Sequence, residues 1–183
     1  MFAYFQKLQV ENYGSNRRLH ARIKQLIEEL PPDATHMKMH VQGSSETLAL
    51  IRRVIAACVQ HLDLGAALLN DIKLATTEAC TNVIKHAYKF DDSMSFDLEI
   101  TTSEDVFLVE VFYSDPDFIP ANIPVPNLSE IKEGGLGVFI IKSIMDHVDY
   151  VTDEQSGRVR LQMVKVLKLQ DNSGGQSEDR LSD

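Results

Sequence analysis

The 183-residue sequence predicts an α/β (α+β) two-layer sandwich, a mostly antiparallel sheet covered on one face by helices. Three observations predict it. Runs of strand length and strand character are joined by tight turns, which makes neighbouring strands antiparallel. Amphipathic helices each carry one apolar face, enough to cover one side of such a sheet. A composition of 44% hydrophobic and 25% charged residues suits a globular domain with a core to build.

The elements follow in order. Residues 15–30 place Leu19, Ile23, Leu26, Ile27 and Leu30 on one helical face, and Pro31 and Pro32 end it. Arg17 and Arg18 at its start and Glu28 and Glu29 at its end oppose the macrodipole, so the stripe needs a surface to pack on. "HMKMHV", 36–41, reads as a strand. Residues 44–64 read as a helix with Ser44 or Ser45 as N-cap, broken by Gly65. A second long helix spans about Ala66 to Tyr88. Residues 95–102 and 106–114 read as a strand pair linked by "SED". Asp115 to Glu133 carries four prolines and no apolar period, a loop of the length that usually serves function or is disordered. Residues 134–148 begin with glycines and become a helix, and a strand, a turn at "EQSG" and a strand follow. The expected division is a helical extension at 1–35, one domain at 36–168 and a disordered Gly/Ser-rich tail at 169–183.

A net charge of −9 argues against general nucleic-acid binding, which needs a basic footprint. No apolar run approaches the ~20 residues that span a bilayer. The first residues lack the basic region of a signal peptide, so a cytoplasmic protein is expected. Cys58 and Cys80 both fall inside helical patterns. They read as reduced packing residues, with a disulfide the alternative.

The chemistry concentrates in "TTEACTNVIKHAY", 76–88. Glu78, Asn82 and His86 are each four residues apart, so they form one helical stripe. With Leu68 at zero and about 100° per residue, Ile72, Ala75, Ala79, Asn82 and His86 fall in one arc, with Glu78 at its edge. A polar stripe beside the core is either a solvated edge with one satisfied histidine or a site lined by the helix. Asn and Glu oxygens suit Mg²⁺, which usually arrives with a phosphate, better than zinc. "KEGGLGVFIIKSIM" adds three glycines before a helix, either a plain junction or a close approach of backbone to an anion.

Together, "EACTNVIKHAYK" and "EGGLGVFIIKSIMDHVDY" resemble the anti-sigma-factor serine kinases of bacterial partner-switching systems, members of the GHKL (histidine-kinase-like, Bergerat-type) ATPase superfamily. The resemblance covers about Met37 to Leu167. It implies that Asn82 holds Mg²⁺, that Glu78 takes the proton from a partner's serine hydroxyl, and that His86 closes the same box. It further implies that Gly134, Gly135 and Gly137 face the phosphates of ATP, that Lys132 reaches the γ-phosphate, and that the 115–133 loop is the lid. The implied partners are a sigma factor and an anti-sigma-factor antagonist, with a second copy of the chain in a homodimer.

The resemblance breaks at the family's first glycine box, roughly Asp-x-Gly-x-Gly-Phe, whose aspartate meets the adenine amino group. Here "YSDPDF" puts Tyr113 at the aspartate and Asp115 and Asp117 at the glycines. Val164 aligns with the threonine that assists the same contact. A register shift would let Asp115 stand in for the aspartate. Two readings follow: a kinase with an altered nucleotide site, or a non-catalytic partner-switching module whose adenine pocket Tyr113 plugs. A histidine-kinase catalytic piece is a third, resting on His20 alone.

Overall fold

The computed structural model of the chain describes Leu19 and residues 21–119, 136–153 and 155–168. Its sheet has five strands: β1 Thr35–Gln42, β2 Ser95–Thr102, β3 Val106–Ser114, β4 His147–Asp153 and β5 Arg158–Val166. Their order is β1-β2-β3-β5-β4, and every neighbouring pair is antiparallel. The helices are α1 at residues 21–28, α2 Thr47–Cys58, α3 Ala66–Asn82 and α4 Leu136–Ile144. The predicted α+β sandwich is the observed architecture.

One face of the sheet makes the main core. Phe96, Leu98 and Ile100 of β2, Phe107, Val109 and Val111 of β3, and Leu161 and Met163 of β5 meet Ile51 and Ile55 of α2 and Ile72, Ala75 and Ala79 of α3. The small residues of α3 let it lie close to the strands. The second face is partly covered as well, by the helix at 15–30 whose packing surface the sequence left open. Ile23 of α1 is buried against Val106, Leu108 and Val164, with Leu19, Ile27, Leu30 and Val166 around it. So α1 packs on its own domain, and one end of the sheet is covered on both sides.

Local capping differs from expectation in one place. Helix α2 starts at Thr47, and neither Ser44 nor Ser45 caps it: no side chain caps its first turn. Instead the Ser44 and Thr47 hydroxyls pair at 2.9 Å, and Thr47 Oγ1 donates to the Gln42 carbonyl at 3.1 Å. The predicted last helix also gives up its end to β4, which begins at His147. Both cysteines are free and buried. Residues 1–18, His20, the 120–135 part of the long loop and the tail lie outside the described residues, as do the expectations that rest on them.

Candidate functional site: the end of α3 and the pocket beside it

Helix α3 does not run on as an α-helix to Tyr88. After Asn82 it loosens into a π-turn, Val83–Ala87, closed by the i→i+5 bond from the Tyr88 N–H to the Val83 carbonyl at 3.0 Å. Each i→i+5 bond takes up an extra residue per turn, so side chains beyond it fall behind the 100° rule. His86, placed by that rule in the core-facing arc, is exposed. It still lines the pocket described next. The chain leaves the π-turn through Lys89 and Phe90, with φ of 51° and 64°.

A cavity of about 420 Å³ opens between α3, α4 and the sheet. From α3 and its π-turn come Ala79, Asn82, Val83, His86 and Ala87. From the sheet come Tyr113, Tyr150 and Leu161, and from the segment after β3 come Asp115, Asp117, Phe118 and Ile119. That segment is held in place. The Asp115 N–H donates to the Gly157 carbonyl at 2.9 Å, and the Phe118 N–H to the Asp115 carbonyl at 3.1 Å. Gly157 has φ +64°, and a Cβ there would come 3.1 Å from Pro116, so the β4–β5 turn needs glycine to seat the segment.

Tyr113 forms the wall of this cavity rather than filling it. Its side chain belongs to the main core, and the residue is 7% exposed. Phe118 meets it edge-on, with centroids 6.3 Å apart, and stacks on Tyr150 at 5.3 Å. Burial pushes both phenols above the usual tyrosine range, so they are neutral. Val164 does not reach the cavity. Strand residues alternate faces, and Val164 is buried under α1 on the other side. It is no part of a base contact.

Glu78, Asn82 and Gly137 do come together. A Cβ built on Gly137 would lie 2.9 Å from Glu78 Oε2, 3.2 Å from Asn82 Oδ1 and 3.4 Å from Asn82 Nδ2. Glycine therefore lets α4 pack this closely on α3 with the ends of Glu78 and Asn82 left in place. Glu78 is half-buried beneath this contact and is not itself among the cavity walls. Among the described residues, Asn82 Nδ2 is buried without a hydrogen-bond partner. An amide oxygen beside a carboxylate is a donor set that fits Mg²⁺. Lys132, Gly134 and Gly135 lie outside the described residues. Sequence reasoning missed Tyr150, Phe118 and Leu161 as pocket walls; their apolar character reads equally well as core.

Residues 41–165 match the histidine kinase-like ATPase domain family. The serine-protein kinase RsbW of Halalkalibacterium halodurans is 32% identical over 141 residues, covering 72% of this chain and 83% of that protein. RsbW of Bacillus subtilis is 28% identical over 126 residues, covering 63% and 78%. Two solved structures share the fold. The SiaB–SiaC complex of Pseudomonas aeruginosa has a TM-score of 0.54 at 11% identity, over 82% of this chain and 99% of that one. The RsbU and RsbW domains of a Mycobacterium tuberculosis protein have a TM-score of 0.51 at 10% identity, over 72% of this chain and 32% of that one. With the family match spanning most of the chain and an RsbW relative above 30% identity, the chain belongs to the histidine kinase-like (GHKL) ATPase family, within its anti-sigma-factor serine-kinase branch.

Proposed function

We propose that this protein is a cytoplasmic Mg·ATP-dependent serine kinase of a partner-switching system. It binds a sigma factor or a similar target, exchanges it for an anti-sigma-factor antagonist, and phosphorylates a serine on that antagonist. The observation that carries the reading is the open cavity. Tyr113 lies back in its wall, so the space beside Asn82 remains available to a nucleotide. Among the described residues, no helix is long and apolar enough to cross a membrane, which is compatible with this setting.

In this reading Mg·ATP supplies the phosphoryl group. Asn82 would hold the cation through its amide oxygen, and Glu78 would take the proton from the attacking serine hydroxyl. Glu78 Oε2 lies against Gly137, where a Cβ would crowd it. The glycines before α4 and Lys132 hold the phosphates. A homodimer is part of the proposal, by resemblance to the family.

The competing reading, a non-catalytic switching module, keeps one support: Tyr113 stands where a carboxylate is expected. Calorimetric titration with Mg·ATP and Mg·ADP, with Asn82→Ala as control, separates the two. Binding that the substitution abolishes supports the kinase. Absence of binding by a folded protein sinks it.

A further inference from the structure

The part of the second sheet face that α1 leaves open carries a groove of about 350 Å³. Lys38 and Glu99 line one side, Val151, Arg158 and Arg160 the other, and Phe112 lies between them. The register sets Phe112, Arg160 and Val151 side by side on neighbouring strands. Phe112 shares the parity of Leu108, which α1 covers, so both stand on this face. Val151 is 43% exposed. Guanidinium groups beside apolar side chains make a surface suited to aromatic rings, which stack on arginine as well as on carbon.

The chain already enters on this face. Leu19 packs with Ile23, Val106, Leu108 and Val164, and residues 1–18, outside the described residues, precede it. Leu108 and Phe112 are four residues apart on β3, about 14 Å at ~3.4 Å per residue. About five extended residues cover that distance and leave about thirteen to lie beyond it. Those thirteen, "MFAYFQKLQVENY", carry Phe2, Tyr4, Phe5, Leu8, Val10 and Tyr13, with Lys7 and Glu11 their only charged side chains. Such a segment has apolar area to bury, unlike the Gly/Ser-rich tail. We infer that residues 1–13 fold back over this groove, with the rings of Phe2, Tyr4 and Phe5 on Phe112, Val151, Arg158 and Arg160. A second copy of the chain is the rival occupant, and it has to displace a segment held at high local concentration by its tether. The face is thereby withheld from such a copy, and a homodimer of the full chain pairs through another surface.

The test is cysteine cross-linking in the full chain. Cys58 and Cys80 are buried, so an introduced surface pair reacts in their place. Gln6→Cys is combined with Val151→Cys in the groove and, as control, with Arg53→Cys, exposed on the helix layer. A short bismaleimide is added, and the products are separated by mass under denaturing conditions. The expected result is a cross-link within one chain, with a yield at Val151→Cys about fivefold or more above that at Arg53→Cys. Adding Phe2→Ser, Tyr4→Ser and Phe5→Ser is expected to bring the two yields together, and a thermal melt checks that each variant is folded. Equal yields before those serines are added would overturn the inference, since the segment would then have no preferred seat. A groove product of twice the chain mass would overturn it too, by making a second copy the occupant. So would a groove yield that the three serines leave unchanged. Nucleotide binding does not enter the readout, so none of these outcomes bears on the kinase reading.

Discussion

A methyl group on Gly137 would stand 2.9 Å from Glu78 Oε2 and 3.2 Å from Asn82 Oδ1. Both atoms are ends of side chains, so they can yield, but only by leaving their present places. Alanine also favours a helix over glycine by about 0.8–1.0 kcal/mol. Gly137→Ala should therefore keep its melting temperature within a few degrees while Mg·ATP affinity falls about tenfold, since small displacements cost much in a positioned site. Paired thermal melts and titrations check this. The cysteines make a second residue-scale prediction. Burial alone lifts the Cys80 thiol to about 12 and raises Cys58 as well. At pH 8 the thiolate fraction is small and shielded. Thiol titration should find no reactive cysteine in the folded chain and two in urea.

Among the elements, the π-turn decides what the sequence could and could not reveal. Four-residue spacing located Glu78 and Asn82, because both lie on the regular part of α3. The same rule misplaced His86, because hydrophobic periodicity carries no mark of the extra residue that an i→i+5 bond admits. Val164 failed through parity: it is even-numbered on a strand whose core-facing residues, Val159, Leu161 and Met163, are odd, and a one-residue slip moves a side chain to the other face. The signal was legible in the unbroken apolar run of β3, Val106-Phe107-Leu108-Val109, which a strand covered on one face does not need. That run, with Met163-Val164, marks the end of the sheet where α1 lies. The exit from the π-turn is also testable. Phe90 holds φ 64° while 68% exposed, so it contributes little burial and carries left-handed strain of about 1–2 kcal/mol. Glycine removes that strain at an entropic cost of about 0.5–1 kcal/mol. Phe90→Gly should raise the urea midpoint, by up to about 1 kcal/mol in unfolding free energy.

For the whole molecule, the two faces of the sheet have different tasks. The α2–α3–α4 face holds the core and the cavity. The other face is divided: α1 covers the Val106, Leu108 and Val164 end, and a polar lattice occupies the rest, with the ion pairs Lys38–Glu99 at 2.7 Å and Arg160–Glu110 at 3.5 Å and a His40–Asp97 hydrogen bond at 2.8 Å. Exposed ion pairs add little to stability, so the apolar end is where α1 matters. We propose that α1, within the 1–35 extension, lies outside the 36–168 domain in sequence but is part of it in energy. Ile23 is 2% exposed, and Ile23→Ala should cost about 2–5 kcal/mol through lost burial and the cavity it leaves. A chain beginning at residue 31 should lose at least as much, because it strips every α1 contact and bares Val106, Leu108 and Val164 together. The measurement is urea unfolding of the full chain, Ile23→Ala and the shortened chain. Equal midpoints for all three would make α1 a passive appendage. Midpoints that fall in that order would mean that the second face has its own small core, built by the segment outside the family match at 41–165.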